Sequence, residues 1–287
     1  MSDYGTNTSS RGGGYRLLAF AAAHPWLPIV LGIAYFLWVA LNHEAFGLFI
    51  GRTFDMNDRP KFNRFFLRAG MIGVSLYLLT VLPFFLRRKN IRAIVYLAMT
   101  LLLTTVAVYG LVVVYSELVH FPQYMLLAIL LFPALRSYHF TLVICSVLGA
   151  IDEGIQYWYL SPQRTDYFDF NDVVLNMLGS AWGLLALGAW LGKNYDWAII
   201  SIRKSGVLVL SVLFLLALAW SINLLDFVPA DTAQNPAAWT LVRQEATGFW
   251  TDIPLGRRFH ILRPGAGLSL LLALTLFYLP LDSILRK

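Results

Sequence analysis

The chain has 287 residues, of which 58% are hydrophobic and only 13% charged, and it carries a formal net charge of +6. A soluble domain devotes about 25% of its residues to charge, so the composition excludes an ordinary soluble domain and predicts an all-α, polytopic helical membrane protein. The basic excess flanks apolar runs, where it orients helices in a bilayer and does not imply nucleic acid; the single cysteine, Cys145, excludes an intrachain disulfide and a CxxC metal site.

Met1 to Gly14 is rich in Ser, Thr, Asn and Gly and reads as disordered, and residues 1–24 are taken as a disordered cytoplasmic tail. Leu17–Ala23 resembles a short signal-peptide core, but Pro25–Leu41 continues the apolar run at once, so an uncleaved first span is expected. Asn42 to Arg64 mixes Phe46, Leu48, Phe49 and Phe54 with Arg52, Asp55, Arg59 and Lys61, and reads as a loop lying in the interface. Phe65–Leu86 is a second span, closing an N-terminal two-span extension over 25–90. Arg87, Arg88, Lys89 and Arg92 then form the densest basic cluster.

Ile91–Tyr115, Leu118–Phe132, Tyr138–Tyr159 and Val173–Leu191 supply four more spans, the core over 91–192. Val207–Leu225 and roughly Gly265–Leu281 are the last two, forming a C-terminal extension over 193–287. Between them Phe227–Arg263 is comparatively polar, holds Trp239 and Trp250, and is long enough for an extramembrane helix. The sum is about eight helices at roughly 20 apolar residues each. Short loops carrying Arg87–Arg92, Arg136, Lys193, Arg203 and Lys204 fall on one side, and Arg286 and Lys287 end there too. The positive-inside rule therefore puts both termini in the cytoplasm and the Leu160–Asn171 connection outside.

That connection is the chemically dense part of the chain. Five carboxylates, an arginine, a glutamine and an asparagine lie between Gly149 and Gly183. Ionisable groups at the bilayer edge are costly to place and mark functional sites by default. Gly149, Asp152 or Glu153, and Gln156 share one helical face; Asp169, Asp172, Asn176, Gly179 and Gly183 share another. Joined by about a dozen residues, the two faces are expected to meet as an antiparallel pair. Gly179-Ser-Ala-Trp-Gly183 is a GxxxG that lets another helix approach closely. Asp169 or Asp172 suits the N-cap of the second helix, and Arg164 is the natural counter-ion or anion grip. Glu117 and His120, spaced i, i+3 before the fourth span, reach the same side.

The candidate site is thus Glu117, His120, Glu153, Gln156, Arg164, Asp169, Asp172 and Asn176, with Glu153 or Asp172 as general base if the site reacts. One histidine without cysteine is a poor zinc set, so no metal is expected. His24, His43, His139 and His260 read as interfacial residues. No P-loop, dinucleotide fingerprint or nucleophile elbow occurs, and no cofactor is expected.

The run Ser-Glu-Leu-Val-His-Phe-Pro-Gln-Tyr (Ser116–Tyr124), Asp-Glu-Gly-Ile-Gln (Asp152–Gln156), Arg164, Asp-Phe-Asn-Asp (Asp169–Asp172), Asn176 and the two glycines resembles the VanZ-like family of bacterial membrane proteins. The resemblance covers roughly Ile91 to Leu191. Where family members often have an acidic-basic pair before the histidine, this chain has Glu117-Leu118. The family's namesake is associated with low-level glycopeptide resistance. That implies a multi-pass protein of the bacterial cytoplasmic membrane with an envelope role, but not a reaction. Three readings stay open. The outward cluster binds a cell-wall precursor or lipid headgroup; it is an enzyme site acting on an envelope lipid; or it is a structural network in an accessory subunit that contacts membrane lipids and a membrane protein partner.

Overall fold

The computed structural model describes residues 20–54, 59–162, 166–191, 202–227, 237–244, 248–253 and 257–286. Among the described residues each long apolar run is mainly helical. We number the helices α1 (Trp26–Leu41), α2 (His43–Thr53), α3 (Arg59–Arg87), α4 (Ile91–Gly110), α5 (His120–Leu135), α6 (Tyr138–Ile155), α7 (Phe170–Leu191), α8 (Ile202–Ser221), α9 (Pro264–Phe277) and α10 (Leu281–Leu285). A 3₁₀ turn, Tyr115–Val119, leads into α5, and a π turn, Gln156–Leu160, ends α6. Among the described residues six helices are long and apolar enough to cross a membrane, or seven if the bent pair α1–α2 counts as one span. Among the described residues Ser205–Ser221 is a further, shorter apolar helix. The protein is a multi-pass, all-α membrane protein.

The bundle is built around α7. Of its residues only Trp190 is exposed, and α5, α6, α4, α3 and α9 pack on it. Such burial requires small residues where neighbours press hardest. A Cβ on Gly179 would lie 2.8 Å from the Phe121 carbonyl oxygen and one on Gly183 2.5 Å from that of Met125. The GxxxG stripe therefore takes the backbone of α5 directly, as its spacing predicted. Lipid gives helices no hydrophobic reason to associate, so close packing and interhelical hydrogen bonds carry more of the association. Trp182 Nε1 donates to Thr104 Oγ1 at 2.9 Å, Tyr77 Oη donates to the Trp182 carbonyl at 2.7 Å, and Thr100 pairs with Tyr278 at 2.8 Å. Leu210, Phe214 and Leu215 on α8, and Ile72 and Leu79 on α3, point outward as lipid-facing residues should.

One end of the bundle is pinned by Asp282. Its carboxylate accepts the hydroxyl of Ser137 and the backbone N–H groups of Tyr138 and His139, placing an anion on the N-terminus of α6. At the opposite end, where α6 stops and α7 starts, the polar residues collect; we call this the polar end.

Two expectations are corrected here. The stretch expected as an interfacial loop after the first span is mostly helical: α2 runs on from α1 with a 59° bend at Asn42. Nothing in His43–Thr53 breaks a helix, and no proline occurs until Pro60. The Phe227–Arg263 segment forms no extramembrane helix among its described residues. With Leu225–Asp226 just before it, its described residues make two short ribbons. Strand β1 (Leu225–Asp226) pairs in parallel with β2 (Trp239–Thr240), and β3 (Thr251–Ile253) pairs antiparallel with β4 (Arg257–Phe259). These ribbons cap the polar end: Tyr167 bridges Val242, and the His260 N–H donates to the carbonyl of Gly110 at 2.7 Å.

Candidate functional site

The site begins with the cap of α7. Asp169 Oδ1 accepts the N–H groups of Asn171 and Asp172 at 2.9 and 3.3 Å, so Asp169 is the N-cap and Asp172 stands one turn inside. Capping fixes where the acidic face of α7 points. Asn176, one further turn along and fully buried, accepts at Oδ1 from His120 Nδ1 at 2.8 Å. The other ring nitrogen of His120 lies 3.3 Å from Asp172 Oδ2. The imidazole is 1% exposed and is held from both sides by α7.

The expected face of α6 is present and meets α7. A Cβ on Gly149 would stand 3.1 Å from Asn176 Cβ, which is how close the two helices run. Asp152 and Glu153 are both buried. Tyr124 Oη donates to Asp152 Oδ2 at 3.0 Å, while Gln156 Nε2 donates to Asp152 Oδ1 at 3.1 Å and to Glu153 Oε1 at 3.3 Å. Glu153 in turn feels the charges of Asp172, Asp152, Asp169 and Glu117. Five carboxylates thus converge on one buried region, with His120 in its midst.

Burial, with the negative charge of Asp172 second, lifts the Asp169 carboxyl to about 7, although two backbone N–H groups pull it the other way. Tyr167, beside it, is pushed up by burial and by the same acids. Two buried polar atoms of α7 are left without a protein partner, Asp172 Oδ1 and Asn176 Nδ2. Among the described residues no set of three His, Cys, Asp or Glu is arranged to hold a metal ion.

Of the eight residues the sequence nominated, seven come together at the polar end and Arg164 lies outside the described residues. Glu117 has a local duty: its two oxygens accept the N–H groups of Val113 and Val114 at 2.8 and 3.2 Å and brace the 3₁₀ turn. Gln156 opens the π turn, whose wide pitch displaces the end of α6; such turns recur at functional sites.

The structure adds residues that spacing did not single out. His43, expected at the interface, has its ring centroid 5.9 Å from that of His120. It lines a cavity of about 400 Å³, with Glu44, Ser116, Gln156 and Ser161 as further polar lining and Leu48 and Phe62 among the apolar walls. His43 comes from a helix some 80 residues from His120, and no local period could link them. His139, also expected at the interface, is 2% exposed and bonds Thr275, far from this site. Asn171 ties three segments: its amide donates to the carbonyls of Leu111 and His260 at 2.9 and 2.8 Å, and its oxygen accepts the Leu262 N–H at 2.9 Å. Arg243, from the ribbon segment, lies 4.1 Å above the Tyr157 ring and donates to the carbonyls of Tyr157 and Pro162.

Comparison with known proteins returned no match to a family model, to a curated protein or to a solved structure.

Proposed function

We propose that the chain is a VanZ-like protein of the bacterial cytoplasmic membrane whose polar end faces outward and binds a cell-envelope molecule, either a cell-wall precursor or a lipid headgroup. One observation carries the reading. A cavity of about 400 Å³ shares Gln156 with the buried carboxylate network: Gln156 lines the cavity while its amide bonds Asp152 and Glu153. A network serving only to lock α6 to α7 needs no cavity beside it. The size and mixed lining are those of a small-molecule pocket, and five carboxylates exceed what helix capping uses.

The test is purification from a bacterial membrane with endogenous lipid retained. An envelope lipid is expected to accompany the parent chain in near-stoichiometric amount and to be depleted in Glu153→Gln at equal membrane abundance. Equal lipid content in the two proteins would reject binding at this site. A second reading, an enzyme acting on an envelope lipid, draws support from the imidazole of His120, oriented by Asp172 and Asn176 as a general acid–base would be. Turnover of a labelled envelope lipid by the purified protein separates it from binding alone. Should Glu153→Gln keep full envelope phenotype, the accessory-subunit reading replaces both.

A further inference from the structure

His120 meets an acceptor at each of its ring nitrogens. Nδ1 lies 2.8 Å from the amide oxygen of Asn176, and Nε2 lies 3.3 Å from Asp172 Oδ2. A neutral imidazole has one N–H, so it satisfies one of these contacts and turns a lone pair on the other acceptor. With Nδ1 donating to Asn176, the contact between Nε2 and Asp172 needs a proton of its own. The ring is 1% exposed, so bulk water does little to relieve two facing lone pairs. The surroundings favour the extra proton. Glu117, Asp152, Asp169 and Asp172 all act on the ring through their charge. Glu153 is joined to Asp152 by the Gln156 amide, and Tyr124 holds Asp152 from α5. Acids crowded into one buried region resist ionising together, and a retained proton lowers that cost.

The same proton has a way out. Asp172 meets His120 through Oδ2, while its Oδ1 is buried and has no partner among the described residues. A carboxylate held in this way can take a proton on one oxygen and yield it from the other. His43 connects the pair to the cavity. Its charge reaches Asp172, its ring centroid lies 5.9 Å from that of His120, and it lines the cavity from α2. A buried imidazole, a half-partnered carboxylate and a second imidazole in the cavity wall therefore stand in series.

We propose that the polar end is a proton relay: His120 and Asp172 share a stored proton, and His43 exchanges it with a molecule in the cavity. The last step rests on the binding reading above. Outward, the N–H bond at His120 Nε2 breaks as an O–H bond forms on Asp172. The carboxyl passes that proton to one ring nitrogen of His43, and His43 gives the proton on its other nitrogen to an oxygen of the bound molecule. His120 ends neutral, Asp172 is ionised again, His43 has changed only its tautomer, and the bound molecule has gained one proton. The reverse sequence reloads the pair.

The test reads the histidines directly. Full-length chains, isotope-labelled at the histidine ring nitrogens, are purified into phosphatidylcholine nanodiscs and followed by nitrogen NMR, with His120→Gln and His43→Gln assigning the two signals. At about pH 7.5, where an unperturbed histidine is mostly neutral, His120 is expected to carry protons on both nitrogens. Asp172→Asn should return it to one, because an amide can donate to Nε2 where a carboxylate cannot. Exchange of the His120 ring protons with water should slow by at least about tenfold in His43→Gln and in His43→Phe, a modest share of what a positioned acid–base group contributes.

A single protonated nitrogen on His120 in the parent overturns the stored proton, and that result needs no variant that could misfold. Two protonated nitrogens with exchange unaltered by either His43 substitution overturn the route through His43. Endogenous lipid, counted in the parent and Glu153→Gln before transfer to nanodiscs, reports on binding separately. Lipid lost in Glu153→Gln beside a singly protonated His120 upholds binding and rejects the relay. Equal lipid content beside a doubly protonated His120 and exchange that depends on His43 rejects the bound molecule, and with it the last step, while the path from His120 to the cavity stands.

Discussion

Gly179→Ala is the sharpest test of how the site is held. The added methyl would sit 2.8 Å from the Phe121 carbonyl oxygen, 2.9 Å from Phe121 Cα and 3.0 Å from the His120 carbonyl oxygen. All three are backbone atoms, so no rotamer change relieves the contact. Ordinary contact begins at 3.4 Å, so α5 must retreat by 3.4 − 2.8, about 0.6 Å. His120 rides on that same turn of α5. A retreat of up to that size loosens the His120–Asn176 contact, now 2.8 Å, and the His120–Asp172 contact, now 3.3 Å, toward the limit of good hydrogen-bond distance. Overpacking costs about 1–3 kcal/mol, and leaving buried polar groups unsatisfied adds about 1–3 kcal/mol. At about 2–4 °C per kcal/mol the summed cost should lower the melting temperature by roughly 4–24 °C. The chain supplies its own probe: Cys145, the only cysteine, is fully buried on α6, so a thiol-reactive dye reports opening of the bundle. Gly73→Ala, whose Cβ would meet nothing within 4 Å, is the control and should melt at or above the parent. If Gly179→Ala melts with the parent, α5 and α7 do not touch backbone to backbone and the account of His120 fails with it.

Asp169 gives a pH dependence with a defined sign. Its carboxyl is raised from 3.8 to about 7, so between those values the unfolded chain has released the proton while the folded chain keeps it. The contribution is fully present below about pH 4 and is lost as pH rises through about 7. Asp169→Asn keeps an acceptor for the α7 cap but removes the titration. Its melting temperature should fall less between pH 4 and pH 7.5 than the parent's, and an unchanged difference would refute the assignment. Asn171→Ala removes three hydrogen bonds from a residue 2% exposed. We expect a loss of about 2–4 kcal/mol with faster hydrogen exchange at the Leu262 amide; exchange as slow as in the parent would show that Asn171 does not tie the ribbon segment down.

Low charge and long apolar runs were enough to read a helical membrane protein, because a bilayer accepts only helices or closed barrels and spanning helices announce themselves by length. Helical spacing likewise brought Gly149, Glu153 and Gln156 onto one face and Asp172, Asn176, Gly179 and Gly183 onto another. Side-chain direction repeats every 3.6 residues wherever the helix happens to pack. The same spacing narrowed the N-cap to Asp169 or Asp172, since capping is local, and the structure selects Asp169. It could not find His43, whose approach to His120 depends on a 59° bend after α1 and on α2 folding over the polar end. Nor could it see that Glu117 would be turned back onto its own turn, or that Asn171 would hold Leu111 and Leu262 together. The ribbons of 225–259 also escaped it, since each strand is two or three residues long and depends on a partner elsewhere in the chain. The sequence alone therefore determined the features set by local periodicity and solvent preference. Which acids meet which histidine, and the cavity that Gln156 and His43 line, were decided only when distant helices packed around α7.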